Sequence, residues 1–201
     1  MTPSLGATCQ RWVPILIVAV ALAAGCATLN DRPPLPTSAA PDVAKAYVYG
    51  RFKLNPGSAS APRLYLQLTN LATGEFLSIY LRTPTEELYL LDLAPGQYQF
   101  THLLFAPIGA MDMDVKRSPI RVPGEMSFLL KPFRVEVGKA YYVGDWTGVL
   151  ARDVDHYVVF ATIKQRWGVY RVAFDHAGAT AELRRLYPAL GSLDARPAWA
   201  D

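Results

Sequence analysis

The chain has 201 residues, with 20 lysines and arginines against 17 aspartates and glutamates and 51% hydrophobic residues. That length holds one ordinary domain with a short extension. Charge is nearly balanced, and Lys116-Arg117 and Arg184-Arg185 are the only adjacent basic pairs. This excludes the basic stripe of a nucleic-acid binder, so no nucleic-acid partner is expected.

The first element is an apolar run over residues 12–24, preceded by Arg11 and interrupted by Pro14. It is shorter than the roughly 20 apolar residues that span a bilayer as a helix, and polar Asn30 and Asp31 follow closely, so residues 1–25 read as a signal peptide. Its end, Leu22-Ala23-Ala24-Gly25-Cys26, resembles the lipobox of bacterial lipoproteins. The resemblance implies cleavage before Cys26 and lipidation of its thiol with two or three acyl chains, palmitate among them. An ordinary secretory leader cut at the alanine-rich site is the alternative. The other cysteine, Cys9, leaves with the leader, so the mature chain has no disulfide and its stability must come from a packed core.

Multiple acyl chains make a stable anchor, so the expected partner is a membrane reached through Cys26. Ala27 stands where an inner-membrane retention signal would carry aspartate. The resemblance therefore implies the outer membrane of the cell envelope, periplasmic side, if the cell is Gram-negative. Residues 26–42 are rich in proline, serine and alanine and predict a disordered, semi-rigid spacer.

From residue 43 to 190 the dominant pattern is alternation with period two. After "AYVYGRFKL", the strand "RLYLQLTN" places Leu64, Leu66 and Leu68 on one face and Arg63, Tyr65, Gln67 and Thr69 on the other. It is joined to "EFLSIYL" through Asn70-Leu71-Ala72-Thr73-Gly74, which predicts an antiparallel hairpin. A second hairpin is predicted for "ELYLLDL" and "QYQFTHLLF" around Ala94-Pro95-Gly96, where glycine would take the left-handed position. "MSFLL" reads as a further strand, and residues 106–125 as an inserted loop. "FRVEV" and "AYYVGDW" predict a third hairpin at Gly138-Lys139. "HYVVFATIK" and "GVYRVAFD" predict a fourth, turned at residues 165–168. In "ATAELRRLYPAL" the spacing of Leu183, Leu186, Tyr187 and Leu190 is helical, with Pro188 at a boundary. Residues 191–201 read as a tail.

Closely spaced strands of this kind predict a mostly β protein, an antiparallel β-sandwich with a short C-terminal helix. "LDLAPGQYQF" resembles the strand-turn-strand signature of carboxypeptidase-regulatory-like, or transthyretin-like, sandwich domains, and "FRVEVGKAYYVGDW" is similar to a pattern in bacterial lipoproteins of related build. The resemblance implies a non-catalytic accessory or adhesion module; neither a cofactor nor a metal is expected from the residues.

The chemistry-bearing residues point the same way. His102, His156 and His176 fall in separate elements without metal-ligand spacing. Asp153, Asp155 and His156 in "RDVDHY" suit a cation or an acid/base pair, but aspartates before a strand ordinarily serve local turns. Asp112-Met113-Asp114 is a bare acidic pair. No nucleophile elbow, phosphate loop or zinc-helix motif is present, so no catalytic residue is assigned. The aromatic residues offer a different use. Tyr65 on a polar strand face, Tyr141 and Tyr142 on opposite sides of one strand, and nearby Trp146 are candidate binding residues for an envelope protein or a cell-wall glycan such as peptidoglycan. A protein-interaction module is the leading expectation, a glycan binder the second, and a hydrolase using Asp153, Asp155 or His156 the third.

Overall fold

The computed structural model describes residues 29–54, 63–81, 87–106, 115–156 and 161–199. Cys26, the leader and Asp112 and Asp114 lie outside the described residues. The chain is mostly β. Its strands are β1 (Ala46–Leu54), β2 (Arg63–Asn70), β3 (Phe76–Tyr80), β4 (Leu88–Leu93), β5 (Gly96–Ala106), β6 (Lys116–Pro119), β7 (Phe133–Val135), β8 (Lys139–His156), β9 (Ala161–Ala173) and β10 (Asp194–Pro197), with helix α1 (His176–Leu186) before the last.

Two sheets face each other. Sheet A runs β3-β2-β5, and the far edge of β5 is shared by β6 and β7. Sheet B runs β4-β1-β8, and the far edge of β8 is shared by β10 and β9. Most pairings are antiparallel, while β8 pairs with β1 and with β10 in parallel. The alternation in β2 works as read: Leu64, Leu66 and Leu68 are sealed between the sheets with Phe100, Leu103, Tyr141, Val143 and Trp146.

A second apolar layer lies on the outer face of sheet B. There α1 sets Ala179 and Leu183 on Tyr47, Tyr49, Leu90 and Tyr142, joined by Tyr187 and Leu190. The helix starts at Asp175, whose side chain accepts from the Gly178 backbone N–H at 2.9 Å, and it stops before Pro188, which opens a short 3-10 turn. The helical spacing and the proline boundary both hold.

Of the expected hairpins, β2–β3 forms as read, with Gly74 at φ +73°. The other reversals differ. β4 pairs with β1 and β5 with β2, so Ala94-Pro95 is an arch between sheets rather than a turn within one, and Gly96 does not take a positive φ. Gly138 likewise joins β7 in sheet A to β8 in sheet B. The last hairpin pairs β9 with β8, and residues 165–168, expected to turn, lie inside β9. "MSFLL" belongs to the 3-10 helix Gly124–Leu130, and part of the expected insertion is strand β6. The expected tail supplies β10, and Trp199 packs at 5.1 Å on Phe133.

The stretch expected to be a free spacer is strapped down from Leu29 onward. Ser78 N donates to Asn30 O at 2.7 Å and Arg32 N to Ser78 O at 3.2 Å, and Leu35 N donates to Leu90 O at 2.8 Å. Tyr187 Oη donates to Leu35 O at 3.0 Å, and Tyr89 Oη bonds Arg32 O. β3 and β4 are edge strands whose outward N–H and C=O groups need partners, and an extended chain that still carries N–H groups at Arg32 and Leu35 supplies them. The strap begins on the outer face of sheet A, where Leu29 sits against Tyr65, and ends on the outer face of sheet B, where Leu35 joins the helix layer.

Candidate functional site

The four aromatic residues expected to form a binding surface are buried: Tyr65 is 3% exposed, Tyr141 5%, and Tyr142 and Trp146 0%. They also do not meet. Tyr141 and Trp146 lie between the sheets, Tyr142 under α1, and Tyr65 under the strap on the outer face of sheet A. The outer face of sheet A is covered locally at Tyr65, so this position of the β2 face that reads as polar is closed from solvent, while Arg63 and Arg117 on the same face stay exposed. Tyr65 stacks on Tyr80 at 5.1 Å and is closed over by Leu29, Leu104 and Val115.

A bulge in β8 explains where Trp146 goes. Tyr49 pairs with Tyr142 but Arg51 with Asp145, so Val143 and Gly144 together oppose Gly50. Gly144 has φ +92°. The extra residue reverses the alternation, turning Trp146 inward and Asp145 outward beside Tyr142, as bulges re-aim side chains generally. Trp146 Nε1 then donates to Val143 O at 2.7 Å.

Outward Asp145 meets Arg51 at 2.8 Å, and the second arm of the same guanidinium bonds Glu182 of α1. Burial pulls the Arg51 guanidinium down, but the two carboxylates outweigh it and hold it above its ordinary range. Burial likewise raises the Tyr142 hydroxyl. This network docks the helix on the sheet. Arg51→Met is expected to cost about 2 kcal/mol, the lower side of a buried-pair loss because the three side chains keep partial solvent contact. Urea denaturation checks it, and adding Asp145→Leu and Glu182→Leu should recover much of the loss.

Asp153, Asp155 and His156 do not sit at a turn; their backbones pair in β8 with Lys164, Thr162 and Ala161 of β9. Among the described residues no three His, Cys, Asp or Glu side chains converge as a metal site.

The outer face of sheet A carries a row of unsatisfied polar groups. Ser78, Gln67 and His102 are direct cross-strand neighbours, and Ser78 Oγ, Gln67 Oε1 and His102 Nδ1 are buried without a hydrogen-bond partner. Arg117 reaches over the face to the Phe76 ring, 5.2 Å from its centroid. Burial, then the Arg117 charge, lowers the His102 pKa from its ordinary 6.5. The unfolded chain therefore takes up this proton first as pH falls, so the stability due to neutral His102 is full above pH 6.5 and declines below it. Melting temperatures should fall on acidification through that window, with a shallower fall in His102→Gln.

The strap, the β2–β3 turn and the β4–β5 arch enclose an open cleft of about 920 Å³. Its floor is Leu68, Leu77, Leu93 and Tyr98, and its rim carries Arg32, Lys45, Asp92, Thr73 and Glu75. Asp92 holds both bases, Arg32 at 3.3 Å and Lys45 at 3.6 Å. Asn70 shapes one wall: its Oδ1 accepts from Ala72 N at 2.9 Å and its Nδ2 donates to Tyr98 Oη at 3.2 Å. No single element of the chain marks this site. Its floor comes from the ends of four strands, but its walls come from a presumed spacer and two presumed turns, and the local signal is Asn70, suited to an Asx turn.

The fold and cleft define a two-sheet, mostly β domain with a strapped edge and a mixed polar and apolar groove. No family model matches the chain, and no curated protein matches it. Among solved structures it is similar to a leucine-rich repeat protein from Bacteroides thetaiotaomicron at 15% identity and a TM-score of 0.32, over 54% of this chain and 14% of that one.

Proposed function

We propose that the protein is a non-catalytic lipoprotein of the cell envelope, anchored through Cys26, facing the periplasm from the outer membrane, and that it binds another envelope protein in its edge cleft. The observation that carries the binding part is the cleft itself. Its volume lies in the range of ligand-binding sites, and its apolar floor with a few rim charges suits a partner's side chains better than bulk solvent. The anchoring part is supported by Leu22-Ala23-Ala24-Gly25-Cys26 at the end of the apolar run. The buried tyrosines remove the observation that favoured a glycan ligand.

Two measurements test this reading. Cys26→Ser should abolish lipid labelling and release the protein from membranes; retention of both rejects the anchor. A photo-crosslinking residue at Thr73 should capture one reproducible envelope protein, while the same residue at Arg185 on α1 should not. Ala72→Trp, which fills the cleft, should remove the adduct; an adduct equally strong from both positions, or unaffected by the tryptophan, rejects the cleft as binding site.

A further inference from the structure

We infer that the outer face of sheet A around Leu29 lies against the anionic headgroups of the bilayer that holds Cys26. The inference rests on the anchoring proposed above and deepens it by naming the surface that meets the lipid. Only Ala27 and Thr28 separate Cys26 from Leu29. Three residue steps span at most about 11 Å even when fully extended. The spacer expected from composition would have held the domain well clear of the headgroups. With the strap docked, that freedom is gone.

The place where the strap docks then decides the orientation. Leu29 is seated on Tyr65 and Leu104, with Tyr80 and Val115 beside them, all on the outer face of sheet A. Arg63 precedes Tyr65 by two residues and so shares its face, and Arg117 is the direct cross-strand neighbour of Leu104. Both arginines are exposed. Among the described residues, Asp31 of the strap is an acidic group whose charge reaches Tyr65. Among the described residues around Leu29, two exposed guanidiniums stand against the Asp31 carboxylate, a net basic balance, and such groups attract anionic headgroups within about one Debye length, roughly 8–10 Å. The opposite pole is set by α1, which covers the outer face of sheet B and carries exposed Arg185. A sheet-to-sheet spacing of about 10 Å and a helix layer of similar depth put that pole roughly 20 Å farther out.

The test uses the full lipidated protein in vesicles of phosphatidylethanolamine and phosphatidylglycerol, with lipids spin-labelled at the headgroup as quencher. Because the acylated Cys26 leaves no free thiol, one introduced cysteine takes the fluorophore: Thr101→Cys on the outer face of sheet A, or Arg185→Cys on α1. Severalfold stronger quenching at position 101 than at 185 is expected. A Gly-Ser insertion between Thr28 and Leu29, or Arg63→Ser with Arg117→Ser, should cut the signal at 101. Mass spectrometry first establishes whether Cys26 carries acyl chains. If it does not, the anchor reading fails and this inference with it. If it does, and positions 101 and 185 are quenched equally, or 185 more, the orientation alone is overturned.

Discussion

Trp146→Ala is expected to lower the unfolding free energy by about 4 kcal/mol, the range found when a fully buried large aromatic is truncated in a core. The indole is wholly buried, its ring lies 4.7 Å from Phe100, and it belongs to the cluster that joins the two sheets. Truncation removes those contacts and leaves a cavity that two hydrogen-bonded sheets cannot close by small shifts. It also removes the donor to Val143 O, inside the bulge. Trp146→Phe should recover roughly half the loss, because it keeps the ring contact and forfeits the hydrogen bond. Urea unfolding with an unchanged slope checks both variants. A surface-binding role for Trp146 would give the opposite outcome: intact stability and lost partner capture.

Gly50→Ala is expected to cost about 3 kcal/mol, the upper part of the range for overpacking a tight site. A β-carbon on Gly50 would clash with Gly144 O and stand 3.3 Å from Val143 Cγ2. The first of these is backbone and cannot rotate away. Nor can the bulge retreat, because Gly144 is itself held at φ +92° with Val172 and Phe174 against it. Relief would require re-registering β8 on β1, which would turn Trp146 outward and separate Asp145 from Arg51. Gly124→Ala is the matched control: nothing lies within 4 Å of its β-carbon position, and its change should stay within about 0.5 kcal/mol. Thermal melts of the two variants decide the point, and equal melting temperatures would show that the Gly50–Gly144 approach does not constrain the fold.

Alternation in β2 identifies Leu64, Leu66 and Leu68 as core because period two is a property of the strand backbone itself. Gly74 at positive φ closes the β2–β3 turn, and Pro188 ends the helical stretch, both through local steric rules. Ala94-Pro95-Gly96 obeys the same rules and still misleads. Proline and glycine establish that the chain reverses, but whether it reverses within one sheet or between two depends on which distant strands already flank it. Here β1 claims β4 and β2 claims β5. The aromatic residues mislead for a related reason: Tyr65 stands on a strand face that alternates as polar, yet Leu29 and Val115, from far along the chain, roof it.

What the amino-acid order determines alone is the class of fold, the core leucines of β2, the C-terminal helix and the lipobox-like run before Cys26, since each follows from periodicity, local sterics or contiguous residues. What the tertiary structure decides is the pairing of the strands, the bulge that sends Trp146 inward, the strap that docks residues expected to be a spacer, and the cleft between them. Those features depend on groups distant in the chain satisfying each other's hydrogen bonds and burying each other's apolar surface, and no local pattern encodes which partner arrives.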